Sequence, residues 1–468
     1  MVPELQTNRV VRTPAAAGPA TAVATVQPSP IARLGAPLML VFLFLATGRL
    51  ADFAGHQLRL PMILGTLAVL LALINGALAH ALKSRPGQLL MAFTLWMVLI
   101  TPLSYWRGGS VTLLTNQWLK SIMVYLMIAG LAQTLRQCRQ VMNTLAVAVL
   151  AAAVTVLYFG TLVAGRLAAP VGMLDNPNDL AQILLLGLPF WYLLLIEKSR
   201  VPFRRLLAAL CAAPVLYVFL QTGSRGGLVA FAAMCAVIFV HASAAGRFKL
   251  MLVCMVIAIT VLVTTPEAVT ARLAVTLKPE VTEQGFLDSY QMRAIESSQQ
   301  RLSLFKESVE LTIRNPLFGV GPGQFQSVQA KKAGEEGERA MWRETHCMYT
   351  QLSSENGLPG LFLYAAALFF CIRPANRIYK STRNRPETAD IAAMSYAILL
   401  SLVGFAATAL FSSVAYHMFF PTLAGLSTAF AWAVERELAA RGVPNVLPAH
   451  SRRSTAAPSP AGKATARA

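Results

Sequence analysis

The feature that most constrains this chain is a series of long stretches containing no Asp, Glu, Lys or Arg. A spanning helix needs roughly 20 mostly apolar residues, and about 17 suffice where flanking basic side chains reach the interface. Such runs occupy residues 60–82, 86–106, 140–165, 180–196, 206–224, 226–246, 250–266 and 356–372. Residues 391–434 hold two more, broken near Ser412 to His417, and shorter runs at 34–48 and 121–135 are flanked by Arg33, Arg49, Lys120 and Arg136. The fold class this predicts is an all-α polytopic membrane protein of about twelve transmembrane helices. Composition agrees: only 13% of the 468 residues are charged and 56% are hydrophobic, too little charge to coat a soluble domain of this size.

Basic residues then set the orientation, because Lys and Arg near helix ends are retained on the cytoplasmic side. One set of connections carries Lys83 and Arg85; Arg136 and Arg139; Lys198, Arg200, Arg204 and Arg205; Arg247 and Lys249; and Arg373, Arg377, Lys380, Arg383 and Arg385. Placing these in the cytoplasm puts both termini there with an even number of spans. The net charge of +19 is therefore a topology signal. The segment 265–356 has ten Lys or Arg against twelve Asp or Glu, so a nucleic-acid partner is not indicated. Of the cysteines, Cys347 alone falls outside on this topology, which leaves no structural disulfide.

The expected organisation is a disordered cytoplasmic tail over 1–33, nine spans over 34–264, a large periplasmic loop over 265–355, three spans over 356–436, and a mostly disordered cytoplasmic tail over 437–468. The loop has structure written into it. Residues 294–314 space Leu302, Phe305, Val309 and Ile313 as an amphipathic helix that would lie against the membrane face or the bundle, and Asn315 and Pro316 stop it. NPLFGVGPGQF follows, with glycines at 319, 321 and 323. The chain re-enters as THCMYTQLSSENGLPGL, where His346, Tyr349, Thr350 and Ser353 share a helical face. No internal repeat is evident.

Four places can carry chemistry, each with a plainer alternative. Arg225, in SRGG between two apolar helices, is either an interface arginine or an anion ligand beside the open amides of Ser224, Gly226 and Gly227. Arg301 is either a solvated helix charge or turned inward. His346 is either a structural residue or a general base near neutral pH. In VGMLDNPNDLAQ, Asn178 or Asp179 either caps the next helix or meets substrate, with Arg166 adding positive potential nearby. Asp288 is the lone aspartate of the large loop and Asp52 is isolated, so no metal site is predicted.

Taken in order, DNPNDLA at 175, SRGG at 224, RLSLF at 301, NPLFGVGPGQF at 315 and HCMYTQLSSENGLPGL at 346 resemble the O-antigen ligase family, which also holds O-antigen polymerases and protein O-oligosaccharyltransferases. The likeness runs from residue 175 to about Gly360. It implies a metal-independent, inverting glycosyltransferase of the bacterial inner membrane that needs no cofactor. Such an enzyme moves a glycan from undecaprenyl pyrophosphate to an acceptor hydroxyl at the periplasmic face. On this sequence the catalytic residues implied are Arg225 and Arg301 for the pyrophosphate and His346 for the acceptor; Arg166, Asn178, Tyr349 and Glu355 are candidate substrate contacts. Glu355, in the ENG turn, reads equally well as a helix-end charge. The chain departs from the family's usual pattern at Cys347, where asparagine commonly follows the histidine.

A ligase acting on lipid A core is favoured, with a polymerase or a protein glycosyltransferase differing only in acceptor. A lipid or solute transporter is the alternative from another class. Its usual marks, ionisable groups at mid-membrane and repeat symmetry, are missing from the sequence.

Overall fold

The computed structural model describes residues 27–50, 59–163, 165–170, 172–197, 203–264, 269, 289–335 and 342–441. Most of both expected tails, and Asp52, Asp288, Glu336 and Glu338, lie outside the described residues.

The chain opens with α1 (Pro30–Gly48), started by Pro30 at its first position and by Ser29, whose hydroxyl accepts from the Ala32 amide. Next come α2 (Leu60–Ile74), α3 (Ala77–Lys83), α4 (Arg85–Ile100), α5 (Arg107–Leu113), a π-turn over Leu114–Trp118, α6 (Leu119–Leu131) and α7 (Leu135–Phe159). Helices α8 (Pro177–Ile196), α9 (Phe203–Gln221), α10 (Arg225–His241) and α11 (Ala244–Thr264) complete the first part. Beyond it lie α12 (Ser289–Arg314), α13 (Phe325–Glu335), α14 (Met348–Thr382), α15 (Ala389–Thr408) and α16 (Phe419–Ala440).

Each of the twelve charge-free runs is carried mainly by helix. Among the described residues, seven helices are long and apolar enough to cross a membrane, or eight if α2 and α3, bent by 68°, form one broken span. Part of the shortfall from twelve has local causes. Asn75 and Gly76 break the second run, the π-turn leaves α6 only 13 residues, and α10 is a shorter apolar helix of 17. The outer surface is that of a protein solvated by hydrocarbon: Leu206, Leu207 and Leu210 on α9 are 54%, 61% and 63% exposed.

One small hairpin interrupts the helices. The run at 140–165 predicts helix throughout, but α7 ends at Phe159 and the chain turns through β1 (Thr161–Val163) and β2 (Arg166–Ala168), paired antiparallel with Val163 opposite Arg166. Among the described residues the fold is therefore all-α apart from this hairpin, which is what seats Arg166.

Small residues bring the helices together: a Cβ on Gly187 of α8 would fall 2.5 Å from Val149 of α7, and one on Gly130 of α6 would fall 2.6 Å from Ala77 of α3. Around α14 the core is aromatic. Phe93 meets Trp118 and Tyr364 at 5.0 and 5.5 Å between centroids, and Tyr364 meets Phe420 at 4.9 Å. These rings lock α4, α14 and α16 to one another and so fix the ends of helices that carry the polar residues.

The two ends of the bundle differ. At one, Arg139 of α7 and Arg204 of α9 pair with Glu197, and Arg441 pairs with Asp390. At the other, the starts of α8, α10 and α14 meet the loop between α15 and α16.

Candidate functional site

The glycine-rich stretch 315–325 is a clasp closed on the start of α14. Val320 N–H donates to Ser354 O (2.8 Å), Gly321 N–H to Glu355 O (3.0 Å) and Leu358 N–H to Pro316 O (2.8 Å). The fit admits no side chain: at Gly321 (φ +106) a Cβ would stand 2.3 Å from Ser104, and at Gly357 (φ +69) 2.0 Å from Leu317 O. Glu355 sits inside the clasp, 3% exposed. Its carboxylate accepts from Gly323 N–H (3.0 Å), Phe325 N–H (3.4 Å) and Tyr416 O–H (2.6 Å). Those donors occupy it within the protein, so its observed contacts hold the loop.

Arg225 is the first residue of α10, with Ser224 as cap accepting from Gly227 N–H at 3.3 Å. Both glycines of SRGG are contact points: a Cβ on Gly226 would meet Phe411 at 2.5 Å, and one on Gly227 would meet Phe219 at 3.0 Å. Arg166 is buried behind this turn, donating from Nε to Thr222 O (2.6 Å) and from a terminal nitrogen to Asn178 Oδ1 (2.9 Å). Ser224 Oγ donates to the same Asn178 oxygen at 3.1 Å. The cap of α8 is neither Asn178 nor Asp179 but Asn176, whose side chain accepts from Asn178 N–H, with Pro177 in the first helical position. Arg166 and Asn178 thus brace the turn that presents Arg225, and Asp179 is left half-buried beside it.

On α12 the side turned to the bundle is marked by Leu304 and Ser308, 4% and 0% exposed, and by Thr312, which hydrogen-bonds Ser353 of α14 at 2.8 Å. Arg301 lies on that stripe, three residues before Leu304 and seven before Ser308. The apolar face marked by Leu302, Phe305 and Ile313 is exposed at 54%, 44% and 73%, so it does not pack on the bundle. Burial, and then the charge of Arg225, pull the Arg301 pKa down. The Arg225 guanidinium is therefore close enough for its charge to act on Arg301, and no ion pair or hydrogen bond to Arg301 forms among the described residues.

His346 completes the group. Burial first, and then the Arg301 charge, lower its pKa to about 4, so the imidazole is neutral at pH 7. Its backbone is in the left-handed region, φ 53°, where a side chain is strained. The strain is held by Ser413, from the α15–α16 loop, whose Oγ accepts from His346 N–H at 2.8 Å and lies 3.1 Å from Thr345 Oγ1. His346→Gly is therefore expected to raise thermal stability relative to His346→Ala by about 1 kcal/mol, since only glycine adopts this conformation freely. Equal melting temperatures for the two variants would remove the strain argument.

Tyr349 points elsewhere, donating from its hydroxyl to Ala406 O at 3.0 Å. Two residues enter that sequence reasoning passed over. Ser413 had only its place at a break between two apolar runs to mark it. Glu344 was one acid among several; it is exposed to solvent in a concave setting, takes hydrogen bonds from Ser413 and Gln326, and is held above the usual carboxylate range by partial desolvation. Among the described residues, no three of His, Cys, Asp and Glu converge as a metal site would require.

Two guanidinium groups close to a neutral imidazole have the charge that an anion would need. No curated protein matches the chain. A family model described as O-antigen ligase matches residues 207–365, which include Arg225, Arg301, Glu344, His346 and the whole clasp. Over residues 207–365, which carry this site, the chain is similar to the O-antigen ligase family.

Proposed function

We propose that the chain transfers a glycan from undecaprenyl pyrophosphate to an acceptor hydroxyl at the periplasmic face of the inner membrane, joining O-antigen to lipid A core. The observation that carries this reading is that the charges of Arg225 and Arg301 act on one another and that of Arg301 on His346, with Arg301 lacking an acidic partner among the described residues. Two like charges held together in a partly desolvated place are unfavourable on their own and favourable around a diphosphate. In the reaction the acceptor oxygen bonds to the anomeric carbon as the carbon–oxygen bond to the pyrophosphate breaks. The bond pair leaves with the pyrophosphate, and attack from the opposite face inverts the centre. Arg225 and Arg301 stabilise the charge that grows on the leaving group, the role a bound cation fills elsewhere. His346, neutral, orients the acceptor.

The same reading takes twelve spans with both termini cytoplasmic and residues 265–355 as a periplasmic loop. The ion pairs of Arg139, Arg204 and Arg441 at the end away from His346 support that orientation.

Purified full-length protein, given lipid-linked glycan and lipid A core in the presence of a chelator, is expected to form the conjugate. Elongated lipid-linked glycan would instead mark a polymerase, and a glycosylated protein a protein glycosyltransferase. Unaltered donor with every acceptor would overturn the enzymatic reading.

A further inference from the structure

The reaction releases a proton from the acceptor hydroxyl, and His346 is poorly placed to keep it. An imidazolium there would be a third cation beside Arg301 and Arg225. Two residues earlier in the chain, Glu344 offers the opposite setting. The residue is exposed although its carboxylate is partly desolvated, and its side-chain partners are two uncharged groups, Ser413 and Gln326. Among the described residues it forms no ion pair. It stands close enough for its charge to act on two other acids, Asp179 of α8 and Glu355 of α14. Arg343, next to it in the chain, is turned to α12, where the Gln300 amide, assigned with its oxygen toward the guanidinium, accepts from Nε at 2.8 Å.

Ser413 links the two groups. Its Oγ accepts from His346 N–H and, with Thr345 Oγ1 donating to it across 3.1 Å, keeps its own proton for Glu344. One hydroxyl therefore sets the position of the imidazole's backbone and of the carboxylate together.

We propose that Glu344 is the catalytic residue that receives the acceptor's proton, and that Ser413 is the residue that positions it; this rests on the glycosyltransferase reading above. As the acceptor oxygen bonds to the anomeric carbon, its hydrogen passes to a Glu344 oxygen and the electron pair of the broken bond leaves on the pyrophosphate. Protonation removes one negative charge from a group of three acids, whereas protonation of His346 would add a positive charge to a pair of arginines. The raised position of Glu344 on the pH scale acts in the same direction.

The test is the pH profile of transfer by the full-length protein between pH 5 and 9, using lipid-linked glycan and lipid A core. Glu344→Gln is expected to lower kcat by about 100-fold, the size of a lost general base, and to flatten the acid limb of the profile. The KM for the donor should stay within about threefold, because the arginines are untouched. Glu344→Asp should keep more activity than Glu344→Gln, with its acid limb displaced. Ser413→Ala should lower kcat less, and Ser413→Thr should restore it. A Glu344→Gln enzyme with wild-type kcat and pH profile overturns the assignment while leaving the glycosyltransferase reading intact. Equal loss of donor binding and transfer in Glu344→Gln and Glu344→Asp overturns it as well, by making the role structural. A wild-type protein that transfers no glycan refutes the functional reading first, and this inference with it.

Discussion

Arg301→Ala is expected to leave the protein at least as stable as the wild type and to reduce glycan transfer by about 10²- to 10³-fold, the usual loss when one fixed charge-stabilising donor is removed. The two halves of this result have one cause. Arg301 is turned into the bundle on the stripe of Leu304, Ser308 and Thr312, makes no ion pair among the described residues, and is pressed by the Arg225 charge. Removing it relieves a repulsion and costs the fold no hydrogen bond. The diphosphate, which needs both cations, loses one. Inorganic pyrophosphate should accordingly raise the melting temperature of the wild type and not that of Arg301→Ala. A variant that unfolds more readily than the wild type, with transfer per folded molecule unchanged, would show that Arg301 serves the structure and not the donor.

Glu355→Ala should have the largest effect on stability, about 3–5 kcal/mol, because each buried donor left without its acceptor costs about 1–3 kcal/mol. The amides of Gly323 and Phe325 and the hydroxyl of Tyr416 all lose their partner at once. The glycine clasp should then release from α14, carrying with it the chain that leads from α12 toward His346. The measurement is the melting temperature in detergent, with protease sensitivity of the 315–325 segment alongside. Were Glu355 instead a substrate contact, Glu355→Ala would melt like the wild type and lose only transfer.

The reading of Arg225, Arg301 and His346 as one group had no basis in spacing. They are 76 and 45 residues apart in the chain, and the resemblance to a family was what linked them. What joins them in space is a set of long-range contacts that leave no local mark. Gly226 packs on Phe411, and Ser413, two residues further on, holds His346. Ser413 itself looks like any serine in a break between spans. Glu355 shows the opposite case: a lone glutamate in a turn reads as a helix-end charge or a ligand contact, and only the folded clasp reveals three donors aimed at it.

By itself, the sequence determined that the chain is helical and membrane-embedded, and which runs become helix. Those properties depend on nearest neighbours along the chain, on whether some 20 consecutive residues can hide their backbone polar groups from hydrocarbon. Tertiary structure alone decided which way Arg301 turns, that Asn176 and not Asn178 starts α8, that a hairpin replaces the end of the fifth run, and that Glu355 is spent on a loop. Each of these outcomes is set by a partner tens to hundreds of residues away, and hydrogen bonds and charges act through distance in space, which sequence separation does not encode.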